Sequence, residues 1–423
     1  MTVSHGGAPG DRAQPTNAVQ DAGITFNRPY ATGREFAYIE QAVANRHLSG
    51  NGPFTARCGG WLEARTGAAR ALLTGSCTSA LELAAMLAGL KGGDEVIMPS
   101  FTFVSTANAV ALRGAVPVFV DIRADTLNID EQLIEAAITK RTKAILPVHY
   151  AGVACEMDEI VRLASERHLL VIEDAAQGVC ASFRGRALGG IGDLGCLSFH
   201  ETKNVHCGEG GALIIRDPTW IERAEILHEK GTTRSKFFRG EVDKYTWVEL
   251  GSSFASSEIS AAYLWAQLES ADEITARRVV LWRSYHDRFA QLENRGLARR
   301  PVVPSGREHN GHLYYLLVED RETRDRLISD LRAGGIQALF HYVPLHSSPA
   351  GRRRARPHAS LSVTEQLSGR LVRLPLWVGM GEPEIDRVAD AVETSLQRAR
   401  RGGISGTAVA AAARSRPRRA SFS

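Results

Sequence analysis

Short apolar stretches alternate with stretches of helical periodicity between about residue 70 and residue 217. The apolar stretches have the length of β-strands and read DEVIMP, VPVFVD, AILPVH and LLVIED. Apolar residues recur at helical spacing in SALELAAMLAGL and EIVRLASERH. Strands that are apolar throughout and separated by helices indicate a mostly parallel sheet covered on both faces. The pattern therefore predicts a large α/β domain over residues 25–280.

The pattern changes after about residue 280. A long helix is followed by LYYLLVED, by the helical stretch RDRLISDLRAGG, by ALFHYVPLH and by a last helix, EPEIDRVADAVETSLQ. This succession predicts a smaller α+β domain over residues 281–400. The flanking segments lack such periodicity. We expect residues 1–24 to form a disordered leader and residues 401–423 a disordered basic tail.

Composition and charge exclude several classes of protein. The 423 residues are 44% hydrophobic and 23% charged, which is ordinary for globular proteins. The net charge is +4, and without the five arginines of residues 401–423 it would be −1. No basic face for a nucleic-acid partner is therefore predicted on the folded part. No run of about 18 apolar residues occurs, so no membrane span is predicted.

The six cysteines and the first residues indicate the compartment. No CxxC pair is present, so the cysteines are expected to be reduced thiols. The first residues lack a basic segment followed by an apolar one, which a secretory signal requires. Both features are typical of a cytoplasmic protein.

Two residues that could take part in catalysis follow predicted strands. Ligands bind such sheets beyond the carboxyl ends of the strands. Asp174 ends LLVIED, where it could pair with a cationic ligand or cap the next helix. Lys203 comes 29 residues later, in the loop after the strand LGCLSF. A desolvated lysine there can attack a carbonyl, although a single lysine is more often a surface residue.

Taken together, the two residues favour one cofactor. A strand-end aspartate followed about 30 residues on by a loop lysine is typical of enzymes that use pyridoxal 5'-phosphate (PLP). The lysine forms a Schiff base with PLP, and the aspartate compensates the pyridinium charge. Asp174 and Lys203 are therefore the predicted catalytic residues.

A phosphate site is predicted in LLTGSCTSALELA. Its polar residues precede a helix, whose first N–H groups bind anions. Thr78 and Ser79 are the expected contacts. The alternative is a simple capping box, with Ser79 as the cap and Glu82 as its partner.

Two other motifs are given structural interpretations. GIGDLG, residues 190–195, has the spacing of a dinucleotide-binding motif, but it precedes a strand where that motif must follow one. We predict a loop. HNGH, residues 309–312, has no cysteine or carboxylate cluster nearby in sequence. No metal site is predicted there.

Longer strings carry a family resemblance. PSFTFVSTANAV, IEDAAQG, SFHETKN, GEGG and HYVPLH resemble the DegT/DnrJ/EryC1/StrS family of PLP-dependent sugar aminotransferases, from about Phe26 to the last helix. VHYAGVACEMD, FFRGEVDKYTW and SAAYLWAQLE are similar to the subgroup that makes dTDP-4-amino-4,6-dideoxygalactose. The resemblance implies a fold-type-I aminotransferase and a homodimer with active sites at the subunit interface.

The resemblance also implies roles for individual residues. Lys203 matches the Schiff-base lysine and Asp174 the partner of the pyridinium nitrogen. The other cofactor contacts implied are Gln177 at the ring oxygen, Phe103 stacked on the ring, and Thr78, Ser79 and Ser198 at the phosphate. Ser253 stands in a GSS context where many members have an asparagine that reaches the partner subunit's phosphate.

The implied reaction moves the amino group of L-glutamate to C4 of a nucleotide-linked 4-keto-6-deoxyhexose, with dTDP as the expected nucleotide. Cations of the stretch EKGTTRSKFFRGEVDK, chiefly Lys236 and Arg239, are expected to bind this substrate, with His341 and Tyr342. Two alternatives are a PLP-dependent sugar-nucleotide dehydratase and a non-catalytic PLP-binding regulator. The dehydratases of this family carry histidine in place of Lys203.

Overall fold

The structure, a computed structural model, describes residues 23–414, with side chains described to residue 400. The helices are α1 Glu35–Ala44, α2 Pro53–Thr66, α3 Cys77–Leu87, α4 Val104–Ala111, α5 Ile134–Ala137, α6 Met157–Arg167, α7 Ile221–His228, α8 Arg234–Phe238, α9 Glu258–Glu269, α10 Ala271–Arg288, α11 Ala290–Asn294, α12 Arg321–Ala333, α13 Pro349–Arg354, α14 Ser362–Arg370 and α15 Glu382–Arg414. The strands are β1 Arg70–Thr74, β2 Glu95–Pro99, β3 Val116–Val120, β4 Thr142–Ile145, β5 Leu170–Asp174, β6 Ser182–Phe183, β7 Arg186–Ala187, β8 Leu194–Ser198, β9 Gly211–Ile215, β10 Arg307–Glu308, β11 Tyr314–Leu317, β12 Arg356–Pro357 and β13 Leu371–Leu374.

The central sheet has the order β1-β9-β8-β5-β4-β2-β3-β12. Its strands are parallel except β9, which is antiparallel to both β1 and β8. Because no helix crosses over between β8 and β9, β9 must return beside β8 in the opposite direction. The predicted, mostly parallel α/β sheet is thus confirmed, and the returning strand is an addition to it.

Both faces of the sheet are covered by apolar side chains. Ile97 of β2 packs into the cluster on one face, which includes residues of α2 and α6. Its neighbours Val96 and Met98 pack into the cluster on the other face, which includes residues of α3 and α4. This alternation explains why the strand sequences are apolar throughout, since each position is buried on one face or the other.

The C-terminal unit has its own core. Strands β11 and β13 pair antiparallel, and residues of α10, α12 and α15 pack against them. The expected boundary at residue 280 falls inside α10 (Ala271–Arg288). Ile24, expected to be leader, is buried in this core and bridges to Ile336. Helix α15 continues to Arg414, into the segment expected to be a disordered tail, while residues 1–22 and 415–423 lie outside the described part.

One segment of the C-terminal unit completes the large sheet. Strand β12 pairs with β3, and Leu345 and Leu361 are buried among residues of the large domain. Arg356 Nη2 lies 2.8 Å from Glu95 Oε2, which fixes β12 at the sheet edge. Aromatic side chains also join the two units, as in the 5.8 Å separation of the Tyr150 and Tyr315 rings. These contacts hold the two walls of the cavity described next.

Candidate active site

A cavity of about 780 Å³ lies at the carboxyl ends of β5 and β8. One wall comes from these strand ends, the start of α3 and the start of α4. The opposite wall comes from the segment before α13 and from β13. Eight of the residues predicted from the sequence line this cavity: Asp174, Lys203, Thr78, Phe103, Gln177, Ser198, His341 and Tyr342. The structure therefore brings together most of the residues that the sequence analysis selected.

Asp174 is a buried carboxylate with few partners. Thr106 Oγ1 donates to its Oδ2 at 2.7 Å, and the N–H of Ala176 donates to its Oδ1 at 3.1 Å. Burial raises the pKa of Asp174, and these two hydrogen bonds only partly oppose that effect. No helix starts between β5 and β6, so Asp174 is not a helix cap. A cationic ligand would compensate its charge.

Lys203 is the cation of the loop between β8 and β9. Its N–H donates to the carbonyl of His200 at 2.8 Å, which closes a turn directly after the strand. Burial lowers the pKa of Lys203, and the nearby charge of Asp174 opposes this effect. No carboxylate of the described residues forms an ion pair with its Nζ. A lysine with this lowered pKa is more readily the free amine, which is the nucleophilic form.

The start of α3, where a phosphate site is predicted, lies at the cavity, but its cap differs from the expected one. Ser76 is the N-cap, and its Oγ accepts from the N–H of Ser79 at 3.1 Å. The capping box of Ser79 with Glu82 is therefore wrong. Cys77 and Thr78, whose N–H groups have no partner within the helix, line the cavity. Ser79 does not line it, and its contact with a phosphate stays a prediction.

Gly211 allows strand β9 to approach this helix start. A Cβ at Gly211 would lie 2.4 Å from the backbone carbon of Ser76 and 2.5 Å from the nitrogen of Cys77. Any larger residue would push the start of α3 away. The last glycine of GEGG thus positions the anion site.

Gln177 and the aromatic residues shape the middle of the cavity. Gln177 Oε1 accepts from the N–H of Ala151 at 2.6 Å, and its Nε2 donates to Tyr342 OH at 3.0 Å. Tyr342 stacks on His341, with ring centroids 3.7 Å apart. The side chain of Phe103 is 56% exposed and faces the same space. Such an exposed ring can cover the face of a planar ligand.

Three predicted residues lie away from the cavity of their own chain. Ser253 is exposed and bridges to Glu229. Lys236 Nζ lies 2.7 Å from Glu222 Oε1, and Arg239 pairs with Glu225 and Glu241. The role predicted for Ser253 requires a second subunit, and the roles predicted for all three residues stay predictions.

The motifs GIGDLG and HNGH, for which no ligand site is predicted, lie in different parts of the structure. Residues 190–193 of GIGDLG lie in the loop before β8, as predicted, and its last two residues begin that strand. Glu173 accepts the N–H groups of Ile191 and Gly192 in this motif and of the preceding Gly189. HNGH places His312 in the cavity wall. Asn204 Nδ2 donates to the carbonyl of Asn310, which leaves Asn204 Oδ1 to accept from His312 Nδ1 at 3.0 Å. The Nε2 atom of His312 is thereby left as an acceptor.

Sequence reasoning missed three cavity residues. Thr106 lies within PSFTFVSTANAV, but its bond to Asp174 spans 68 positions. His312 and Arg373 reach the cavity from the C-terminal unit. For His312 the only signal was the HNGH motif, and for Arg373 there was none. Among the described residues no group of three or more metal-ligand side chains occurs, and no described helix is long and apolar enough to cross a membrane.

The polar groups that line the cavity fit PLP. Within the described part of the chain, Asp174 and Lys203 form no ion pair, and both face one cavity together with helix N–H groups that have no partner within the helix. These are complements of the pyridinium nitrogen, the aldehyde and the phosphate of that cofactor. Phe103 supplies a ring for its planar face.

Comparisons with known proteins agree with this chemistry. Residues 29–393 match the model of the DegT/DnrJ/EryC1/StrS aminotransferase family. DesV from S. venezuelae is 33% identical, with 89% of this chain and 99% of that chain covered and a TM-score of 0.81. DesI, solved in the presence of its TDP-sugar product, is 29% identical, with 92% and 97% covered and a TM-score of 0.81.

A third solved chain bears on the cofactor. Spr1654 from Streptococcus pneumoniae, solved in a PLP form and a PMP form, is 25% identical. In its PLP form 89% of this chain and 99% of that chain are covered, with a TM-score of 0.82. The predicted family, fold class and cofactor are confirmed. The chain belongs to the DegT/DnrJ/EryC1/StrS aminotransferase family, and it is a PLP-dependent sugar aminotransferase.

Proposed function

We propose that this protein transfers the amino group of L-glutamate to C4 of a dTDP-linked 4-keto-6-deoxyhexose. The observation that carries the proposal is the cavity in which Lys203, Asp174 and the start of α3 face one another. Its volume of about 780 Å³ lies within the range of small-molecule and cofactor sites. The subgroup strings FFRGEVDKYTW and SAAYLWAQLE, and the TDP-sugar product of DesI, support the choice of substrate.

The residues of the cavity have separate tasks in this reaction. When bound, PLP supplies a ring that accepts the electron pair released at the donor's α-carbon. Asp174 would hold the charge of the ring nitrogen, because no described cation forms an ion pair with its buried carboxylate. Lys203 Nζ would hold the cofactor at rest and, once freed, would take the proton from the donor's α-carbon. The N–H groups of Cys77 and Thr78 would bind the phosphate.

The segment from His341 to Tyr342 forms the wall opposite Lys203. Tyr150 OH lies 2.7 Å from His341 Nδ1, and Gln177 holds Tyr342. Both rings are therefore fixed before substrate arrives, and they can exclude water from the reacting atoms. We assign them to the sugar side of the cavity.

Transfer of isotope tests the function. The holoenzyme is incubated with ¹⁵N-labelled L-glutamate and a panel of dTDP-, UDP- and GDP-linked 4-keto-6-deoxyhexoses, with mass and NMR readout. We expect ¹⁵N at C4 of the dTDP sugar. Loss of water from the sugar without ¹⁵N would favour the dehydratase, and no reaction with any sugar would favour the regulator.

We further propose a cytoplasmic homodimer. All six cysteines are free thiols, which supports a reducing compartment. Large apolar side chains are exposed around Ser253, with Trp247 73% and Leu250 67% exposed. Apolar patches of this kind mark surfaces that a partner covers. A second copy would bring Ser253, Lys236 and Arg239 towards the cavity of its neighbour.

Mixing two inactive variants tests the shared site. Lys203→Ala and Ser253→Trp each damage both sites of a homodimer. A mixed dimer places both lesions in one site and leaves the other intact. We expect activity to return on subunit exchange, towards half of the wild-type value per mixed dimer. If mass spectrometry shows exchange and activity stays absent, Ser253 acts within its own chain.

Thr106→Val tests the electrostatic setting of Asp174. The hydroxyl of Thr106 donates to a buried carboxylate, and such bonds contribute about 1.5–3 kcal/mol. Its loss raises the pKa of Asp174 further and weakens the pairing with the ring nitrogen. We expect PLP to bind about tenfold more weakly or worse in a spectroscopic titration.

A matched control for this variant is Thr364→Val. Thr364 donates the same kind of bond, at 2.7 Å, to buried Asp121 outside the cavity. This control is expected to lower the melting temperature without changing the affinity for PLP. Equal PLP affinity in wild type and both variants would contradict the role given to Thr106.

A further inference from the structure

Arg373 is fixed in the cavity wall by its backbone. It lies in β13, and its N–H donates to the carbonyl of Leu339 at 2.7 Å. The N–H of Leu339 donates back to the carbonyl of Arg373 at 3.1 Å. This pairing places the side chain against the cavity, on the side opposite the large sheet. The residue is thus positioned as accurately as one within a sheet.

The guanidinium of Arg373 has few partners. Its Nε and Nη2 donate to the carbonyl of Phe340 at 3.3 and 3.0 Å, and its Cζ lies 4.8 Å from the centre of the Phe26 ring. No described carboxylate pairs with it. Burial lowers the pKa of Arg373, as expected for a cation withdrawn from water without a counterion.

One other described arginine, Arg278, lines the cavity, but its hydrogen bonds differ from those of Arg373. Arg278 donates to the carbonyls of Gly311, His312 and Leu376 and is buried. Its donors are therefore used to hold the C-terminal unit. Arg373 instead keeps its Nη1 group for a ligand, because only its Nε and Nη2 have acceptors among the described residues.

We propose that Arg373 binds the α-carboxylate of the amino donor. This proposal rests on the proposed function, since it assigns a subsite for one of its two substrates. An arginine presents parallel N–H groups that match the two oxygens of a carboxylate. A donor carboxylate entering this cavity also needs a cation, because Asp174 and the cofactor's phosphate both carry negative charge.

The position of Arg373 relative to Lys203 favours the carboxylate over the nucleotide's diphosphate. The donor's nitrogen must take the place of Lys203 Nζ, and its carboxylate is attached to the next carbon. Lys203 and Arg373 line the same cavity, and the charge of Arg373 adds to the effect of burial in lowering the pKa of Lys203. In a nucleotide sugar the hexose ring separates C4 from the phosphates, which therefore lie farther from Lys203.

Half-reactions measured separately test this assignment. Arg373→Gln and Arg373→Lys are loaded with PLP and mixed with L-glutamate, and the change in cofactor absorbance gives the donor half-reaction. Binding of 2-oxoglutarate to the PMP form is measured by calorimetry. We expect roughly 10²-fold weaker binding of both ligands to Arg373→Gln, partial recovery in Arg373→Lys, and a reaction of the PMP form with the keto sugar within about twofold of wild type.

The control is Arg324→Gln. Arg324 lies over the ring of Phe340, with its Cζ 5.3 Å from the ring centre, but it pairs with Asp325 and does not line the cavity. It should leave both half-reactions unchanged. Normal binding of L-glutamate and 2-oxoglutarate to Arg373→Gln would overturn the proposal, as would a loss confined to the keto-sugar half-reaction, which would indicate a diphosphate subsite. Equal losses in both half-reactions with a lowered melting temperature would reduce Arg373 to a structural residue.

Different results would contradict the proposed function and the assignment of Arg373. The donor half-reaction and the binding of 2-oxoglutarate do not involve the sugar. A wild-type enzyme that reacts with glutamate and with no keto sugar would therefore contradict the proposed acceptor and leave the assignment of Arg373 intact. A wild type that aminates the dTDP sugar, with unchanged donor binding in Arg373→Gln, would do the reverse.

Discussion

Lys203→Ala is expected to abolish transamination while the protein stays folded. Lys203 lies in the loop between β8 and β9, so truncating its side chain removes no residue of the apolar core. The variant loses the amine that holds the cofactor and the group that moves the donor's proton. Proton transfer alone contributes roughly 10²–10⁴-fold, so we expect kcat to fall by at least about 10³-fold in a coupled assay with L-glutamate.

Lys143→Ala is the control for this variant. Lys143 is an exposed residue of β4 outside the cavity, so its removal should leave kcat unchanged. Circular dichroism and the melting temperature of both variants should match wild type. Measurable turnover of Lys203→Ala, above about a tenth of the wild-type rate, would show that another amine does the chemistry.

Asp174→Asn is expected to bind PLP and turn over slowly. Asparagine keeps one oxygen, which can accept from the N–H of Ala176, while its Nδ2 can donate to the hydroxyl of Thr106, so the turn after β5 should persist. The amide cannot compensate a positive ring nitrogen, and the electron sink weakens. Loss of one preorganised electrostatic partner costs roughly 10²–10³-fold, which we expect in kcat rather than in the melting temperature.

The Asp174→Asn substitution distinguishes a role for the negative charge of Asp174 from a purely structural role. If Asp174 only stabilised the turn, asparagine would serve equally well, and turnover would be near normal. If the charge matters, the absorbance of the bound cofactor should also titrate at a lower pH, because the ring nitrogen loses its counterion. Near-normal turnover together with an unchanged spectrum would contradict the role given to Asp174.

The sheet was predictable from sequence where each strand is buried on both faces. Runs of this kind correspond to β2, β3 and β5, which the structure confirms. The predicted strand AILPVH only overlaps β4, which ends at Ile145 and carries the exposed Lys143. Periodicity carries no information on strand direction, so the antiparallel β9 was not predicted. Strand β12 was also missed, because Arg356 and Pro357 lack an apolar pattern and are held by pairing with β3 and by the Arg356–Glu95 ion pair.

The site was predictable where its residues follow strands. Asp174 and Lys203 occupy the strand ends and the loop that the parallel-sheet rule selects. Ser76 was not identified as the cap of α3, because GSCTS offers several residues that can cap a helix. Arg373 could not be found at all, since it lines the cavity of Lys203 from 170 positions farther along the sequence and lies in an ordinary strand pattern.

Two cations that follow α7, Lys236 in α8 and Arg239 at the C-terminal end of α8, show another limit of sequence reasoning. Lys236 and Arg239 were selected for charge alone, and within one chain both pair with carboxylates of α7. Charge in a sequence does not reveal which counterion satisfies it. Their contribution to substrate binding stays a prediction, and in that role these ion pairs would compete with the nucleotide's phosphates.

Borohydride reduction of the holoenzyme tests the central claim, that Lys203 holds PLP in this cavity. Reduction converts the linkage between PLP and its lysine into a stable secondary amine, which mass spectrometry locates after tryptic digestion. We predict the added mass on the peptide 187–216, since modified Lys203 is no longer cleaved. Preincubation with L-glutamate should prevent the labelling. The added mass on any other lysine, such as Lys230, would contradict the account.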